Sequence, residues 1–168
     1  MEPLIQPASS LTSLPVSFLS SSPEETFSLG ESFASLLTKG SIVALGGPLG
    51  AGKTCFAQGI AKGLGLAEAV TSPTYPIICE YEIFLPAVAP PAAPATAVLY
   101  HIDAYRLNGS EDFTAIGGDD IILSDGISLI EWSERIEDSI PPESLRVDIE
   151  ISKDNKRQIR IYRKGGGI

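Results

Sequence analysis

GPLGAGKT, residues 47–54, is the stretch of sequence that decides the fold of this 168-residue chain. It is a complete phosphate-binding loop of the form G-x-x-x-x-G-K-[ST]. In such a loop the glycines let the backbone curl, so that successive N–H groups point at phosphate oxygens. The lysine ammonium reaches the β- and γ-phosphates, and the hydroxyl of the last residue binds Mg²⁺. The sequence therefore predicts a nucleotide site in which Lys53 and Thr54 carry the chemistry.

The segments on either side of this loop predict a strand before it and a helix after it. Residues 41–45 (SIVAL) are an apolar run typical of a buried strand, and residues 54–64 place Phe56, Ile60 and Leu64 at helical spacing. A strand, a glycine loop and a helix in this order aim the N-terminus of the helix at an anion. An ordinary glycine turn would not explain this combination.

The order of the remaining elements indicates one α/β domain over residues 1–168. Strands and helices alternate early and antiparallel pairs come late, which predicts a P-loop NTPase-like three-layer sandwich with a mixed central sheet and late antiparallel hairpins. A chain of this length suits one domain with a sizeable core. Besides the loop strand and helix, we expect a strand at 16–19, a helix at 23–39 with Ser22 as its N-cap, strands at about 78–84 and 98–105, a short helix at 110–116, a strand at 127–132 and a closing hairpin of 145–151 and 158–162.

Two segments are expected to lie outside the regular elements. Residues 1–15 have an apolar tint but no basic region, so we interpret them as a poorly ordered leader and not as a secretory signal. Residues 85–97 (LPAVAPPAAPATA) contain four prolines, which suit neither a central strand nor a helix. We expect the latter segment to be an insertion at the tip of a hairpin.

The composition limits the classes of partner. The net charge is −9, with 21 acidic and 12 basic residues, which argues against autonomous binding to nucleic acid. The one basic concentration, residues 153–164, alternates as the solvated face of a strand does. No apolar stretch reaches membrane-spanning length. Cys55 and Cys79 form no disulfide framework or metal set, and these features together predict a place in the cytoplasm.

Two acidic residues follow apolar runs that are expected to be strands. A P-loop needs a carboxylate at the end of a neighbouring strand to hold Mg²⁺ or its water. Asp103 ends the run VLYHID and Glu131 ends the run ISLIE. Either residue could instead cap a loop or pair with Arg106, but the presence of both fits one metal site better.

Three further features each allow a structural and a functional interpretation. Residues 72–74 (Ser72, Pro73, Thr74) form either a switch-like loop that contacts the γ-phosphate or metal, or a plain turn. Trp132, the only tryptophan, is either a core residue or a wedge that fixes the strand end beside Glu131. His101, the only histidine, is more often structural than catalytic when no partner is evident.

GPLGAGKT, SPTY, HIDAYRL and LIEW, in this order and spacing, resemble the TsaE (YjeE) family of small bacterial ATPases needed to make threonylcarbamoyladenosine in tRNA. The resemblance spans about residues 22–145. It implies a P-loop domain that binds ATP or ADP with Mg²⁺ and hydrolyses ATP slowly alone. It also implies that the chain acts in a complex with TsaB and TsaD subunits, in which TsaD modifies adenosine 37. Contact with tRNA would then be indirect, through the complex, and no contact with a membrane is expected.

The resemblance also assigns roles to individual residues. The catalytic residues would be Lys53, Asp103 at a Walker-B-like position, and Glu131. Thr54 and Glu131 would bind Mg²⁺. The nucleotide would be held by Gly50, Ala51, Gly52, Lys53, Thr54 and Cys55, with Thr26 near the base; Ser72, Pro73 and Thr74 would form the switch-like loop, and Trp132 and Arg106 would be supporting residues.

Four features depart from the family pattern. Pro48 stands where the family usually has Asp, at a position that mostly shapes the loop. Cys55 replaces a second threonine, which removes a hydroxyl that could meet the α-phosphate, so we expect weaker nucleotide binding but not its loss. Ala104 replaces a usual leucine, and residues 85–97 look like an insertion that could alter docking to a partner.

Two alternative functions also follow from a P-loop domain of this size. A small-molecule kinase usually carries an arginine-bearing lid over the phosphates, and residues 105–140 contain only Arg106 and Arg135. The other alternative is a nucleotide-gated interaction module in which hydrolysis is incidental. The sequence does not separate that module cleanly from an ATPase subunit.

Overall fold

A seven-stranded sheet forms the centre of the chain in the computed structural model, which describes residues 14–67, 70, 76–85 and 95–164. The strands are β1 (Val16–Ser20), β2 (Ile42–Gly46), β3 (Ile78–Leu85), β4 (Ala95–Asp103), β5 (Ile127–Glu131), β6 (Leu145–Ile151) and β7 (Arg157–Arg163). The helices are α1 (Pro23–Phe33), α2 (Lys53–Gly63), α3 (Ser110–Ala115) and α4 (Gly118–Ile122), with 3₁₀ turns at Ala34–Leu36, Ala104–Arg106 and Ser133–Ser139.

The sheet is mixed, as the sequence predicts. Its strand order is β1-β7-β6-β2-β5-β4-β3. The four inner strands β6, β2, β5 and β4 are parallel to one another, whereas β3 and the β7–β1 pair are added antiparallel at the two edges. The parallel strands therefore bring their carboxyl ends to one edge of the sheet, where ligands of open α/β sheets bind.

Helical layers cover both faces of the sheet, which confirms the three-layer arrangement. On one face α1 and α2 bury the apolar side chains of the inner strands, and the rings of Phe33 and Phe56 pack with centroids 5.5 Å apart. On the other face α3, α4 and the turn at 133–139 enclose Phe113, Ile130 and Ile136. The inner strands are thus buried on both faces, as parallel sheets require.

The first helix is shorter than the sequence pattern predicts. Ser22 caps it as expected, since its Oγ accepts a hydrogen bond from Glu25 N at 3.2 Å. The α-helix ends at Phe33, not at residue 39, and a single 3₁₀ turn follows. Side-chain hydrogen bonds compete with the helix here: Ser35 Oγ donates to Ser32 O, and Ser41 Oγ accepts from the Thr38 N–H.

The hairpin of β3 and β4 is present, and its second strand begins at Ala95, three residues earlier than predicted. Residues 86–94 of the predicted insertion lie outside the described residues, so its role at the hairpin tip stays a prediction. The same holds for residues 1–13 of the predicted leader; within the described part, Leu14 packs against the core. Among the described residues, none of the helices combines the length and apolar character needed to cross a bilayer.

Candidate nucleotide site

The glycine loop joins the end of β2 to the start of α2 through left-handed backbone conformations. Gly47, Gly50 and Gly52 have φ values of +134°, +75° and +110°. A Cβ at Gly47 would overlap the carbonyl oxygen of Ile149, so the loop also needs glycine there for close approach. These glycines therefore allow the loop to curl around the N-terminus of α2, as a phosphate site requires.

A cleft of about 300 Å³ opens beside this loop at the carboxyl ends of β2, β4 and β5. Its lining combines the loop with the two carboxylates that the sequence singles out. The lining residues are Leu49, Gly50, Gly52, Lys53, Thr54, Asp103, Tyr105, Glu131 and Trp132. The structure thus brings together all three residues predicted to be catalytic.

Lys53 is 5% exposed and directs its ammonium group back at the loop. Its Nζ donates to the carbonyl oxygens of Gly47 at 2.6 Å and Pro48 at 3.0 Å. It also lies 3.6 Å from the ring centroid of Trp132. Burial lowers the pKa of Lys53 from its ordinary value, and the negative charge of Glu131 acts in the opposite direction.

Thr54, Glu131 and His101 form a hydrogen-bonded chain that joins α2, β5 and β4. Thr54 Oγ1 donates to Glu131 Oε2 at 2.8 Å, and His101 Nε2 lies 2.8 Å from Glu131 Oε1. Glu131 is 2% exposed, so these bonds help to offset the cost of burying its carboxylate. The two predicted metal ligands are therefore in direct contact.

Asp103 lies beside Glu131 because the two are register partners on the parallel strands β4 and β5. Its Oδ1 accepts a hydrogen bond from the Tyr105 N–H at 3.0 Å and so caps the following 3₁₀ turn. Burial raises the pKa of Asp103, and the negative charge of Glu131 adds to this shift. Asp103 thus caps a turn and also lines the cleft, while its role toward Mg²⁺ stays a prediction.

The donor set of the cleft suits Mg²⁺. A threonine hydroxyl and two carboxylates offer only oxygen atoms, which hard cations prefer. Within the described ranges, no three His, Cys, Asp or Glu side chains group closely enough to hold a metal by themselves. Mg²⁺ is usually bound through one or two carboxylates together with substrate phosphates.

Trp132 follows β5 with φ +57°, a left-handed conformation that is costly for a bulky residue. Its half-buried ring packs on Tyr105 at a centroid distance of 4.9 Å and under the Lys53 ammonium. Trp132 therefore contacts the apolar layer and also forms a wall of the cleft, while its predicted role in fixing the strand end stays a prediction.

Three other predicted site residues, two of them expected to hold the nucleotide and one to support the site, do not line the cleft. Ala51 is fully buried in the core. Thr26, 2% exposed, bonds through Oγ1 to Ser20 Oγ at 2.8 Å, and its methyl group lies against Gly52. Arg106 is exposed in the 3₁₀ turn after β4.

Cys55 faces the first helix instead of the cleft. Its Sγ donates to the carbonyl oxygen of Pro23 at 3.2 Å, and burial raises the pKa of the thiol, with a further contribution from Glu24. A raised thiol pKa does not suit a reactive cysteine. Residues 72–74 lie outside the described residues, so the switch-like loop stays a prediction.

Sequence reasoning missed three contributors to this site. Leu49 and Tyr105, both exposed, line the cleft, and His101 bonds to Glu131. Tyr105 could have been found from its place two residues after Asp103. The His101–Glu131 contact depends on how β4 and β5 pair, which the spacing along the chain does not specify.

The chain is similar to proteins of one family. The family model described as "Threonylcarbamoyl adenosine biosynthesis protein TsaE" matches residues 20–159. A Treponema pallidum protein named tRNA threonylcarbamoyladenosine biosynthesis protein TsaE is 36% identical over 143 residues, which are 85% of this chain and 97% of that protein. A Bacillus subtilis protein of the same name is 39% identical over 144 residues, covering 85% and 82%. The crystal structure of Bacillus subtilis YdiB superposes with a TM-score of 0.68 and 31% identity, over 90% of this chain and 86% of that one.

Proposed function

Because the chain belongs to the TsaE family, we propose that it is the Mg²⁺-dependent ATPase subunit of the machinery that forms threonylcarbamoyladenosine in tRNA. The observation that carries the proposal is the contact of the loop residue Thr54 with Glu131 in a cleft that Lys53 also lines. A phosphate loop alone would indicate only nucleotide binding. A carboxylate bonded to the threonine hydroxyl adds the oxygen ligands that phosphoryl chemistry needs.

The loop and Lys53 would hold the phosphates. The backbone N–H groups at the start of α2 face an anion favourably, because the helix dipole places partial positive charge there. Lys53 would exchange its carbonyl partners and its contact with Trp132 for the β- and γ-phosphate oxygens. This exchange stabilises negative charge as it develops in the transition state.

Thr54 and Glu131 would hold Mg²⁺, which supplies positive charge to the phosphate oxygens when it is bound. The Thr54 hydroxyl donates a hydrogen bond to Glu131, so its oxygen lone pairs remain available to a cation. Asp103 adds a second carboxylate at the same edge of the sheet, where it would bind a water molecule.

The proposed partners are subunits of the TsaB and TsaD kind, with tRNA reached only through them. A net charge of −9 agrees with a subunit that docks on proteins and does not hold RNA by itself. ATP turnover would drive or reset those partners. A place in the cytoplasm remains the prediction from the sequence.

The kinase alternative has weaker support. Of the two arginines in residues 105–140, Arg135 lies with its guanidinium 5.5 Å from the ring centroid of Tyr105, at the rim of the cleft. One arginine at the rim does not make the lid that a kinase closes over its phosphates. The module with incidental hydrolysis differs from the proposal only in whether turnover is coupled to partners.

The metal assignment can be tested with Glu131→Ala and the matched control Glu143→Ala. Glu143 is exposed and does not line the cleft. We expect Glu131→Ala to weaken Mg²⁺-dependent hydrolysis at least tenfold while ADP affinity in EDTA changes little, because Glu131 serves the metal and not the phosphates. Turnover would be measured against Mg²⁺ concentration. If Glu131→Ala kept the Mg²⁺ dependence of the parent and of Glu143→Ala, the metal assignment would be wrong.

A further inference from the structure

His101 is a polar side chain in apolar surroundings. It is fully buried, and it lies on the face of the sheet that α1 and α2 cover, with Leu129 as its register partner and Leu99 two residues before it on the same strand. Burying an imidazole there is costly unless its polar atoms are hydrogen-bonded. Its Nε2 meets Glu131 at 2.8 Å, while its Nδ1 has no hydrogen-bond partner among the described residues.

The contact with Glu131 determines which nitrogen of His101 carries the proton. An ionised carboxylate only accepts hydrogen bonds, so Nε2 must be the donor. The buried Nδ1 has no hydrogen-bond partner among the described residues, so the Nε2 contact is the one hydrogen bond of this ring among them. His101 therefore has one hydrogen bond to give, and it gives it to the carboxylate of the cleft.

The two oxygens of Glu131 have different partners. Oε1 accepts from His101 on β4, and Oε2 accepts from Thr54 on α2. Two directed bonds on opposite oxygens fix the plane of the carboxylate. They also fix the direction of the Thr54 hydroxyl, because its hydrogen is bonded to Oε2 and its lone pairs stay free.

We infer that His101 is a positioning residue that orients the Glu131 carboxylate, and through it the Thr54 hydroxyl, for a divalent cation. This inference rests on the proposed function, since it assigns a role toward the Mg²⁺ of that site. Partners that hydrogen-bond a metal ligand orient it and raise metal affinity, typically by about 10- to 100-fold. A purely structural histidine would fill space beneath the helices and have no effect on the metal.

The test compares His101→Leu with His101→Gln. Glutamine can place an amide N–H where Nε2 lies, whereas leucine fills similar space but donates nothing. The readout is the factor by which Mg²⁺ changes the affinity for a fluorescent ADP analogue, obtained from dissociation constants in EDTA and in Mg²⁺. Binding of Mn²⁺ in the presence of ADP, followed by electron paramagnetic resonance, gives a second readout that is independent of turnover.

We expect His101→Leu to leave the affinity in EDTA within about twofold of the parent and to weaken Mg²⁺ and Mn²⁺ binding by about tenfold. His101→Gln should restore most of the metal binding. Equal metal binding in the parent and His101→Leu would overturn the inference. So would a loss of metal binding in both variants that is proportional to the fall in their unfolding temperatures, because that would indicate a general loss of stability. If His101→Leu does not fold, His101→Asn replaces it, since its amide is too short to reach Oε1.

Failure of the proposed function gives a different result. If the parent protein itself showed no ADP binding, or no effect of Mg²⁺ on that binding, the nucleotide site would be wrong and not only the role of His101. An effect of Mg²⁺ in the parent that persists unchanged in His101→Leu would leave the proposed function standing and remove only the inference.

Discussion

Lys53 donates to two loop carbonyls and contacts the ring of Trp132, so its ammonium is held at the mouth of the phosphate loop. We predict that Lys53→Ala lowers kcat for ATP hydrolysis by at least about 100-fold, because a fixed cation facing transition-state charge contributes roughly 3 kcal/mol. The measurement is steady-state release of phosphate at saturating Mg²⁺.

Lys62→Ala is the matched control for that change. Lys62 lies near the other end of α2 and is exposed, so its removal tests the loss of one positive charge from the same helix. Turnover in Lys62→Ala should stay within about twofold of the parent, as surface changes usually have small effects. Activity in Lys53→Ala close to that of Lys62→Ala would contradict the role given to Lys53.

Asp103 gives a prediction about pH and stability. Because burial raises its pKa in the folded chain, the uncharged form is favoured by folding, and this contribution is present below the ordinary value of 3.8 and lost as the pH rises through the raised pKa. Asp103→Asn stays uncharged and can still accept from the Tyr105 N–H. We expect it to be more stable than the parent at pH 7.5 by at most about 1 kcal/mol, with lower turnover.

Thermal unfolding of the two proteins from pH 7.5 down to pH 4 checks this prediction. The difference in Tm should shrink as the pH falls, because the parent carboxyl becomes protonated and matches the amide in charge. A constant difference across this range, or a less stable Asp103→Asn at pH 7.5, would show that charge burial at this residue is not what limits stability.

Individual residues of the site were predictable where one motif contains them. The loop pattern specifies Lys53 and Thr54, and the strand-end rule specifies Asp103 and Glu131. The partner of His101 was not predictable, because it depends on the register between two strands that are 30 residues apart along the chain. Nor does a motif reveal that Cys55 bonds to the first helix instead of facing the cleft.

At the scale of elements, α1 and α2 approach each other more closely than side chains would allow. A Cβ at Gly59 would overlap the carbonyl oxygen of Phe27, and one at Gly30 would overlap that of Phe56. Glycine usually weakens a helix by about 1 kcal/mol relative to alanine. Here it permits the close approach of the two helices, and the methyl group of Thr26 on α1 lies 3.6 Å from the place where a Cβ of Gly52 would stand.

We predict that Gly59→Ala destabilises the fold by about 1–3 kcal/mol, because the added methyl group forces the two helix backbones apart. The control is Gly109→Ala, where a Cβ meets no atom within 4 Å and φ is 162°, an extended conformation. Denaturant unfolding of both variants measures the difference. Equal midpoints, or a more stable Gly59→Ala, would show that the helices can separate at little cost.

Elements were predictable from local patterns, and their ends were less so. The strands of the closing hairpin and the cap at Ser22 match the prediction, because alternation and capping are properties of a few adjacent residues. The end of α1 was predicted six residues too late, since its apolar positions continue into the 3₁₀ turn and beyond, where the Ser35 and Ser41 side chains bond to the backbone.

At the scale of the whole molecule, the sheet order assembles the cleft. β5 lies between β2 and β4 and is parallel to both, which places the loop after β2 beside the carboxylates that end β5 and β4. The mixed character of the sheet was predictable from the order of elements. The pairing of β1 with β7, near opposite ends of the described chain, was not, because no local pattern specifies such a contact.

The central claim is that ATP turnover at this cleft serves a larger complex. The most direct test is ATP hydrolysis by the purified chain, alone and then with a TsaB–TsaD pair. We expect slow turnover alone, strong stimulation by the pair, and no stimulation in Lys53→Ala. Absence of both stimulation and physical association with the pair would contradict the claim and favour the kinase alternative, which a screen for phosphorylated metabolites would then test.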